Sequence, residues 1–536
     1  MRELAMIGLL LIAQAAIAAE TPRATVVDFV QPVLIRHENS PLLRVEVEAP
    51  QVPSVRVTSF VFSLEGTSDL REVESIRLFT TGEKPAFHSR SALGTAQPPA
   101  DRVLLKVDTP LRPGRNTFWL TCRLRSTADL THGVSAKCLA VETTAGRLIP
   151  TSTKPAVRHR IGIALRQHHE DGVHTSRIPA LTTSSNGSLL CVFDMRRRMG
   201  RDLQEDIDIG LVRSTQGGKN WEPTRVIMDM GTYGGLPQEQ NGCSDPGIIV
   251  DRKTGEIFCF AVWMNGKPGK HQWVGDGSEA GFEIGKSAQF MMVRSQDDGL
   301  TWSKLENLTR KLKLADWKLI APSPQSGIQL DDGTLVMPVE GRNARDAEFS
   351  TIMISRDHGQ TWSVGSPSPT KTSECQAVLL GDGSIMLNAR NEEPRERHRA
   401  VYSTRDLGRT WTAHSTNRNT LIEPNCNGSL LRFDYVEQGK PRHVLLFANP
   451  QSQKARVNHT IQASFDDGLT WPKSNRILLD EGAGAGYPSL TRIDDHHVGI
   501  VYEGSSSQLV FEKIALSDLL RPAVRSVPAA LESGKQ

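Results

Sequence analysis

The sequence predicts an all-β protein in which a six-bladed β-propeller follows an N-terminal β-sandwich. Two observations predict the propeller: an eight-residue frame that recurs along the later part of the chain, and a series of apolar hairpins between its copies. A third observation predicts the sandwich. The first 150 residues or so lack the frame, and their short alternating strands, such as LLRVEVEAP and NTFWLTCRL, are separated by proline or glycine.

The recurring frame reads SxDxGxTW. Its copies are STQGGKNW (214–221, degraded), SQDDGLTW (295–302), SRDHGQTW (355–362), TRDLGRTW (404–411) and SFDDGLTW (464–471). Each full copy follows an alternating strand, which predicts a hairpin turn. The Asp can accept hydrogen bonds from the turn backbone, the Gly can adopt positive φ, and the Trp can pack against a neighbouring sheet. We therefore interpret Asp466 and Asp467 as turn residues and not as catalytic acids.

Six apolar hairpins alternate with these boxed turns. They begin at Pro179, Pro246, Ser326, Gln376, Gly428 and Pro488. A hairpin followed by a boxed hairpin makes a four-stranded blade, so the series predicts six blades. The sixth blade has no box, and we expect the segments LVFEKIALSD and RIGIALRQ to complete it and close the ring.

Changes in the sequence pattern divide the chain into five segments. Residues 1–19 resemble a secretory signal peptide, with Arg2, a short apolar run and small residues up to Ala19. Residues 20–149 form the predicted sandwich, 150–160 a linker, 161–520 the propeller and 521–536 a tail. The mature protein is therefore expected to be exported, to the periplasm or to the medium.

Composition argues against several other classes of protein. A net charge of +3 over 536 residues, with dispersed basic residues, argues against a nucleic-acid partner. The apolar run near the N-terminus is too short to span a bilayer and none follows it, so no membrane insertion is expected. The seven scattered cysteines do not form a disulfide framework. The run HHEDGVH (168–174) offers metal-ligand types, but its spacing fixes no tetrahedral site, so neither a metal nor a cofactor is predicted.

The ends of the inner hairpins carry charged residues and a tyrosine that a propeller brings together on one face. These residues are Arg177 and Arg196 at the first hairpin, Asp245 at the second, Glu374 and Arg390 at the fourth, Arg456 after the fifth, and Tyr487 and Glu503 at the sixth. Several arginines at one mouth predict an anionic ligand, because a guanidinium forms bidentate hydrogen bonds with carboxylate or phosphate.

Seven motifs in a fixed order, the boxes among them, resemble the bacterial exo-sialidases (neuraminidases). They are SRIPAL (176–181), DMRRRMGRD (194–202), SECQ (373–376), LNARN (387–391), KARVNHT (454–460), GYPSL (486–490) and the boxes themselves. The resemblance extends over about residues 158–520. It implies a glycoside hydrolase that removes terminal sialic acid with retention of configuration.

The resemblance also implies roles for individual residues. Tyr487 and Glu374 are the implied nucleophile and its base, and Asp202 is the implied acid/base. The implied substrate-binding residues are Arg177, Arg390 and Arg456 for the sialic-acid carboxylate, Glu503 behind Arg177, Arg196 and Asp245 around C4, and Trp263, Trp273 and Gln289 on the acyl or glycerol side.

Implied substrates are sialylated glycans on glycoproteins and glycolipids. An enzyme that prefers a deaminated sialic acid, or that releases an anhydro product, would share nearly all of these motifs and stays open. A non-catalytic sialic-acid lectin would need the arginines but not Tyr487, Glu374 and Asp202, and a purely structural propeller would need none of them.

Overall fold

The computed structural model describes residues 21–50, 55–152, 154–203, 205–265 and 277–520. The predicted signal peptide (1–19) and tail (521–536) lie outside these ranges. The chain divides into two compact units. The first contains Met1–Asp28, Asn39–Arg123 and Ser135–Arg158, and the second contains Phe29–Glu38, Leu124–Val134 and His159–Gln536.

Most of the first twelve strands build the first unit. They are β1 (Arg23–Val27), β2 (Val33–Ile35), β3 (Ser40–Ala49), β4 (Arg56–Ser63), β5 (Val73–Gly82), β6 (Ala92–Gln97), β7 (Arg102–Pro110), β8 (Gly114–Leu124), β9 (Gly133–Ser135), β10 (Lys137–Thr143), β11 (Gly146–Leu148) and β12 (Thr151–Ser152). One sheet has the order β12-β1-β3-β8-β5-β6 and the other β11-β10-β4-β7. Phe60 of β4 and Phe118 of β8 are in contact across the sheets, with ring centroids 5.0 Å apart. This arrangement is the expected β-sandwich.

The second unit is a six-bladed propeller over the residues that the structure describes. Blade 1 contains β14 (Thr175–Thr183), β15 (Leu189–Arg196), β16 (Ile207–Ser214) and β17 (Arg225–Met228), and blade 2 contains β18 (Asn241–Val250), β19 (Ile257–Asn265), β20 (Gln289–Ser295) and β21 (Glu306–Asn307). Blade 3 contains β22 (Leu319–Pro322), β23 (Ile328–Gln329), β24 (Leu335–Arg342), β25 (Glu348–Ser355) and β26 (Ser363–Val364), and blade 4 contains β27 (Thr372–Leu379), β28 (Ile385–Asn391), β29 (Ala400–Thr404) and β30 (Thr412–Ala413). Blade 5 contains β31 (Ser429–Glu437), β32 (Lys440–Pro450), β33 (His459–Ser464) and β34 (Arg476–Asp480), and blade 6 contains β35 (Pro488–Asp494), β36 (His497–Tyr502), β37 (Leu509–Ala515) and β13 (Arg158–Arg166).

Helical structure is sparse in the described ranges. It comprises the α-helices α1 (Thr309–Leu312) and α2 (Leu516–Leu520) and the 3₁₀ turns Leu70–Glu72, Glu170–Gly172, Tyr233–Gly235, Gln238–Gln240 and Lys473–Asn475. Among these residues, no helix has the length and apolar character needed to cross a bilayer. All seven cysteines are free thiols, and six of them are buried.

Blade 6 closes the ring with strands from both ends of the propeller sequence. Its order is β13-β37-β36-β35, and β13 runs antiparallel to β37 with Ile163 opposite Phe511. The prediction that RIGIALRQ and LVFEKIALSD complete this blade is therefore confirmed. On its other edge, β13 pairs in parallel with β2, a three-residue strand of the 29–38 segment that the sequence analysis had assigned to the sandwich.

The boxed turns have the expected structural role. At Asp357, the carboxylate accepts hydrogen bonds from Ser355 Oγ (2.8 Å) and from the backbone and hydroxyl of Thr361 (2.9 and 2.5 Å). Gly359 has φ +80°, and Trp362 Nε1 donates to its carbonyl at 3.1 Å. The equivalent threonine amides bind Asp297, Asp406 and Asp466 in the same way. These aspartates hold hairpins together and do not line the central cavity.

Candidate active site

A cavity of about 300 Å³ opens among the inner strands of the propeller. All six blades contribute to it: Arg177 from blade 1, Asp245 from blade 2, Glu340 from blade 3, Glu374 and Arg390 from blade 4, Arg456 from the β32–β33 loop of blade 5 and Tyr487 directly before β35 of blade 6. The walls are therefore mostly arginine and carboxylate. The predicted acid/base, Asp202, lies on the same wall, in the loop after β15.

Irregular strands place three of these side chains. The register shifts lie between Arg177 and Ala180 in β14, Ser244 and Gly247 in β18, and Thr372 and Cys375 in β27. Ile178 and Asp245 both have φ +56°, a conformation that costs energy for any residue with a Cβ and most for a β-branched one. Bulges of this kind re-aim side chains, and here they occur at Arg177, Asp245 and Glu374.

Hydrogen bonds inside the cavity join the phenol of Tyr487, the carboxylate of Glu374 and the guanidinium of Arg390. Tyr487 Oη donates to Glu374 Oε1 in a short hydrogen bond. Arg390 Nη1 donates to Glu374 Oε2 (2.9 Å) and to Tyr487 Oη (3.1 Å). Burial, together with the Glu374 charge, raises the pKa of Tyr487 well above its usual value, although Arg390 and Arg456 oppose the shift. The phenol is therefore neutral at pH 7 and has a base in direct contact.

Arg177 and Arg456 both contact the Tyr487 ring. Their guanidinium carbons lie 5.4 and 5.5 Å from the ring centroid, within the range of cation–π contacts. Arg177 is fixed by Glu503 through Nε (2.9 Å) and Nη2 (3.1 Å), and Arg456 Nη1 donates to the carbonyl of Ala485 (2.7 Å). With Arg390, these cations form a concentrated positive surface in one wall.

Glu503 joins blade 1 to blade 6 beneath the arginines. Besides Arg177, its carboxylate accepts hydrogen bonds from the backbone amides of Ile178 (2.8 Å) and Tyr487 (3.0 Å). Burial by itself would raise the pKa of Glu503, but the Arg177 charge and these donors lower it below its usual value. Glu503 is therefore ionised and fixes the backbone at both Arg177 and Tyr487.

Asp202 is the most exposed of the predicted catalytic side chains. About a third of its side chain (36%) is accessible, and Arg196 Nη1 lies 2.6 Å from its Oδ1. Arg196 is buried and is oriented by the carboxylate of Asp194, to which its Nε and Nη2 donate at 3.1 and 2.9 Å. This position allows Asp202 to contact both a bound ligand and solvent.

The family comparisons agree with this geometry. Residues 187–500 match the BNR repeat-like domain, and residues 22–146 match the N-terminal domain of BNR-repeat neuraminidase. The first of these matches covers more than half of the chain. The chain belongs to the BNR-repeat sialidase family.

The similarity to known sialidases extends over most of this chain. The sialidase of Bacteroides fragilis (strain YCH46) is 34% identical over 517 residues, which cover 91% of this chain and 94% of that protein. The sialidase of Micromonospora viridifaciens is 31% identical over 365 residues, 67% of this chain and 54% of that longer protein. This chain is accordingly an exo-α-sialidase, a glycoside hydrolase that acts on sialylated glycans.

Solved structures show the same fold. The Hadza microbial sialidase Hz136 is 34% identical, with a TM-score of 0.85, and the match covers 92% of this chain and all of that one. The leech intramolecular trans-sialidase complexed with 2,7-anhydro-Neu5Ac has a TM-score of 0.56 at 17% identity, covering 88% of this chain and 95% of the leech chain. At that identity, the likeness concerns the fold alone.

Two residues assigned to the acyl or glycerol side do not reach the cavity of this sialidase. Trp263 is fully buried in the core of blades 1 and 2, where its Nε1 donates to Asn241 Oδ1 at 2.8 Å. Gln289 is also buried, and its amide is used by Ser287 O and Asn307 Nδ2. Trp263 lies on β19 and Gln289 on β20, and both strands follow the inner strand β18 in blade 2. Trp273 lies outside the described residues.

Sequence reasoning missed acids from blade 3. Glu340 at the end of β24 and Glu348 at the start of β25 both line the cavity. Burial, then the charges of Glu374 and Asp245, raise the pKa of Glu340 well above its usual value. Burial and neighbouring carboxylates, with Asp194 first, do the same for Asp245. Glu340 closes the third inner hairpin, and that position was the signal that could have identified it.

Proposed function

We propose that this sialidase works by a retaining mechanism in which Tyr487 is the nucleophile. The observation that supports this proposal best is the hydrogen-bonded contact of Tyr487 with Glu374, under the guanidinium of Arg390. In the first step, Tyr487 Oη attacks C2 of the sialic acid while its proton passes to Glu374. Asp202 gives its proton to the departing glycosidic oxygen, so the C2–O bond breaks as the tyrosyl–C2 bond forms.

The second step reverses these proton transfers. Asp202, now ionised, takes a proton from water, and the water oxygen attacks C2. The bond from C2 to Tyr487 breaks, and the phenolate recovers its proton from Glu374. The partly exposed position of Asp202 suits both tasks, because the leaving group and the water approach from the open side of the cavity.

A neutral nucleophile suits this substrate because C2 of sialic acid itself carries a carboxylate. An anionic nucleophile would be repelled by that group as it approached. A phenol avoids the repulsion but has an ordinary pKa of about 10, and burial raises it further here. Deprotonation in concert with attack, by a base already in hydrogen-bond contact, resolves this difficulty.

The three arginines are assigned to the substrate carboxylate. Guanidinium groups bind carboxylates through paired hydrogen bonds, and Arg177 and Arg456 are held in place by Glu503 and a backbone carbonyl. Asp245, with Arg196 behind Asp202, is assigned to the ring substituents around C4. Glycoproteins and glycolipids with terminal sialic acid are the proposed substrates.

Export is part of the same proposal. The N-terminal segment, with Arg2, its apolar run and Ala19, is typical of a secretory signal peptide. Expression in a bacterial host with a secretion pathway should give a mature chain that starts near Glu20, as measured by intact mass and N-terminal sequencing. Recovery of the full-length chain from the cytoplasm would contradict export.

Proton NMR of the reaction with sialyllactose tests the mechanism, because it identifies the first product before it mutarotates. A retaining hydrolase releases the α-anomer of free sialic acid, and this is the expected result. Initial release of the β-anomer would overturn retention. Release of an anhydro sugar would identify an intramolecular trans-sialidase, an outcome that the shared propeller fold does not decide.

A further inference from the structure

We propose that His168, His169 and His174 form a binding site for a divalent transition-metal ion, with Zn²⁺ as the ion of choice. The three residues lie in the loop that joins β13 to β14, at the outer edge of blade 6. The site is separate from the catalytic cavity and has no part in the proposed chemistry. It rests on the folded geometry, since the sequence spacing alone did not indicate it.

The three imidazoles converge in the folded loop. One nitrogen from each ring lies within 4.8 Å of the corresponding nitrogens of the other two. The ring centroids are 3.8 Å apart for His168 and His169, 4.6 Å for His168 and His174, and 5.0 Å for His169 and His174. An ion at the centre of such a triangle is within about 3 Å of each nitrogen. Small side-chain rotations then give the Zn–N distance of about 2.0–2.1 Å.

The backbone of the loop brings these rings together. His169 (φ +62°) and Asp171 (φ +54°) both adopt the left-handed conformation, which is uncommon for residues other than glycine. In an extended strand, the side chains of the adjacent residues His168 and His169 would point in opposite directions. Here the turn places both rings on the same side, facing His174.

Hydrogen bonds outside the cluster orient two of the ligands. His174 Nδ1 is 2.7 Å from Thr175 Oγ1, so its Nε2 is available to an ion. Gln508 Nε2 lies 3.1 Å from His168 Nδ1 and donates to the His174 carbonyl at 3.2 Å. His168 is exposed, so its ring can turn over to offer either nitrogen. Outer partners of this kind are typical of metal-binding histidines.

Charge in the loop favours a transition metal over calcium or magnesium. The two carboxylates of the loop are already paired, Glu170 with Arg36 and Asp171 with Arg166 (2.7 Å). The remaining donors are imidazoles, which select ions such as Zn²⁺, Ni²⁺ and Cu²⁺.

The three-histidine cluster lies near the start of β14, the strand that carries Arg177 of the active site. A cavity of about 560 Å³ is lined by His168, Thr175 and Arg177 together with residues 505–508. Gln508, which contacts the histidines, also accepts a hydrogen bond from the amide of Ser176 at 2.8 Å, one residue before Arg177. A bound ion would therefore tie down the loop that leads into the strand carrying Arg177.

Calorimetric titration of the untagged, metal-free protein with Zn²⁺ tests the proposal. We expect saturation at one equivalent and a rise in the melting temperature of a few degrees at saturating Zn²⁺. His169→Asn tolerates the left-handed backbone, and His174→Gln keeps a polar side chain. Each should weaken Zn²⁺ binding by about tenfold or more. Ca²⁺ should not compete.

A second pair of adjacent histidines supplies the matched control: His496 lies in the β35–β36 turn and His497 is the first residue of β36. His496→Ala should leave the Zn²⁺ affinity unchanged. Titration of the wild-type protein with Co²⁺ should give the visible absorption of a histidine-bound ion, which requires no variant to fold. Equal Zn²⁺ affinity in wild type and both loop variants, or the lack of any one-equivalent transition, would overturn the proposal.

Discussion

Arg390 contacts both the proposed nucleophile and its base. It donates to Tyr487 and Glu374 through one nitrogen, while Asn425 and Glu392 bind the rest of its guanidinium. Its positive charge offsets the negative charge that moves from Glu374 to the phenol oxygen as the proton is transferred. The same group therefore aligns the pair and stabilises the charge that develops between them.

Asp202 provides a residue-scale test of the proton assignment. If it protonates the leaving oxygen, Asp202→Ala should lower kcat/KM for sialyllactose by about 10²- to 10⁴-fold. An aryl sialoside whose phenolate leaves unaided should lose far less. Because kcat/KM reports the steps up to cleavage of the glycosidic bond, it isolates the acid role from the later activation of water.

Tyr487→Phe is the control for that experiment. It removes the attacking oxygen, so both substrates should suffer together. An Asp202→Ala enzyme that loses activity equally on both substrates would remove the reason for calling Asp202 the acid.

At the scale of strands and turns, the sequence predicts the regular features and misses the irregular ones. Period-2 alternation and the boxed turns are local signals, so the blades could be placed from them. The bulge at Asp245 and the positive φ of Ile178 are imposed by packing between blades, and no local pattern announces them. Glu340 was missed because it lies in VMPVE, where it resembles an ordinary strand end.

A pair of glycines with the same backbone tests the packing of the boxed turns. Gly359 (φ +80°) and Gly383 (φ +81°) are both left-handed, but a Cβ at Gly359 would lie 2.2 Å from the Phe258 ring, whereas one at Gly383 meets nothing within 4 Å. Alanine at Gly383 should cost about 1–2 kcal/mol of stability, from backbone strain alone.

Alanine at Gly359 should cost a further 1–3 kcal/mol or so, from overpacking against blade 2. Urea denaturation of both variants and the wild type measures the difference. Equal destabilisation would show that the boxes are self-contained turns and do not lock one blade onto the next.

At the scale of the whole molecule, blade 6 combines strands from distant parts of the sequence. The closing strand β13 could be predicted because the sixth hairpin lacked its outer partner. The pairing of β2 with β13 could not be predicted, since VLI is only three residues long and more than 120 residues separate the two strands in the sequence. The three-histidine cluster was beyond prediction for a similar reason, because its geometry depends on two left-handed residues.

Glu512 in β37 makes the closure of the ring sensitive to pH. Its carboxyl accepts a hydrogen bond from Tyr502 Oη at 2.8 Å, and burial raises its pKa to about 7 from an ordinary 4.5. Because the folded state binds this proton more tightly, the stabilisation is complete below about pH 4.5 and is lost as the pH rises through 7. The loss amounts to about 3 kcal/mol.

Glu512→Gln should abolish this part of the pH dependence. Denaturation in urea at pH 5 and pH 8 should show the wild type losing about 3 kcal/mol more stability than the variant between the two pH values. Glu437→Gln, at an exposed glutamate, should behave as the wild type. Parallel profiles for wild type and Glu512→Gln would contradict the raised pKa.

The central claim of the mechanism is a covalent bond between Tyr487 and C2 of sialic acid. A sialic acid with fluorine at C3 and a fluoride leaving group at C2 tests it directly. The departing fluoride makes the first step easy, while the C3 fluorine destabilises the cationic transition state of hydrolysis, so the intermediate should accumulate.

Intact mass spectrometry should show one added sugar, and peptide mapping should place it on Tyr487. Tyr487→Phe should show no adduct. An adduct on Glu374 would reverse the two assigned roles, and an active enzyme that forms no adduct with this reagent would contradict the covalent mechanism.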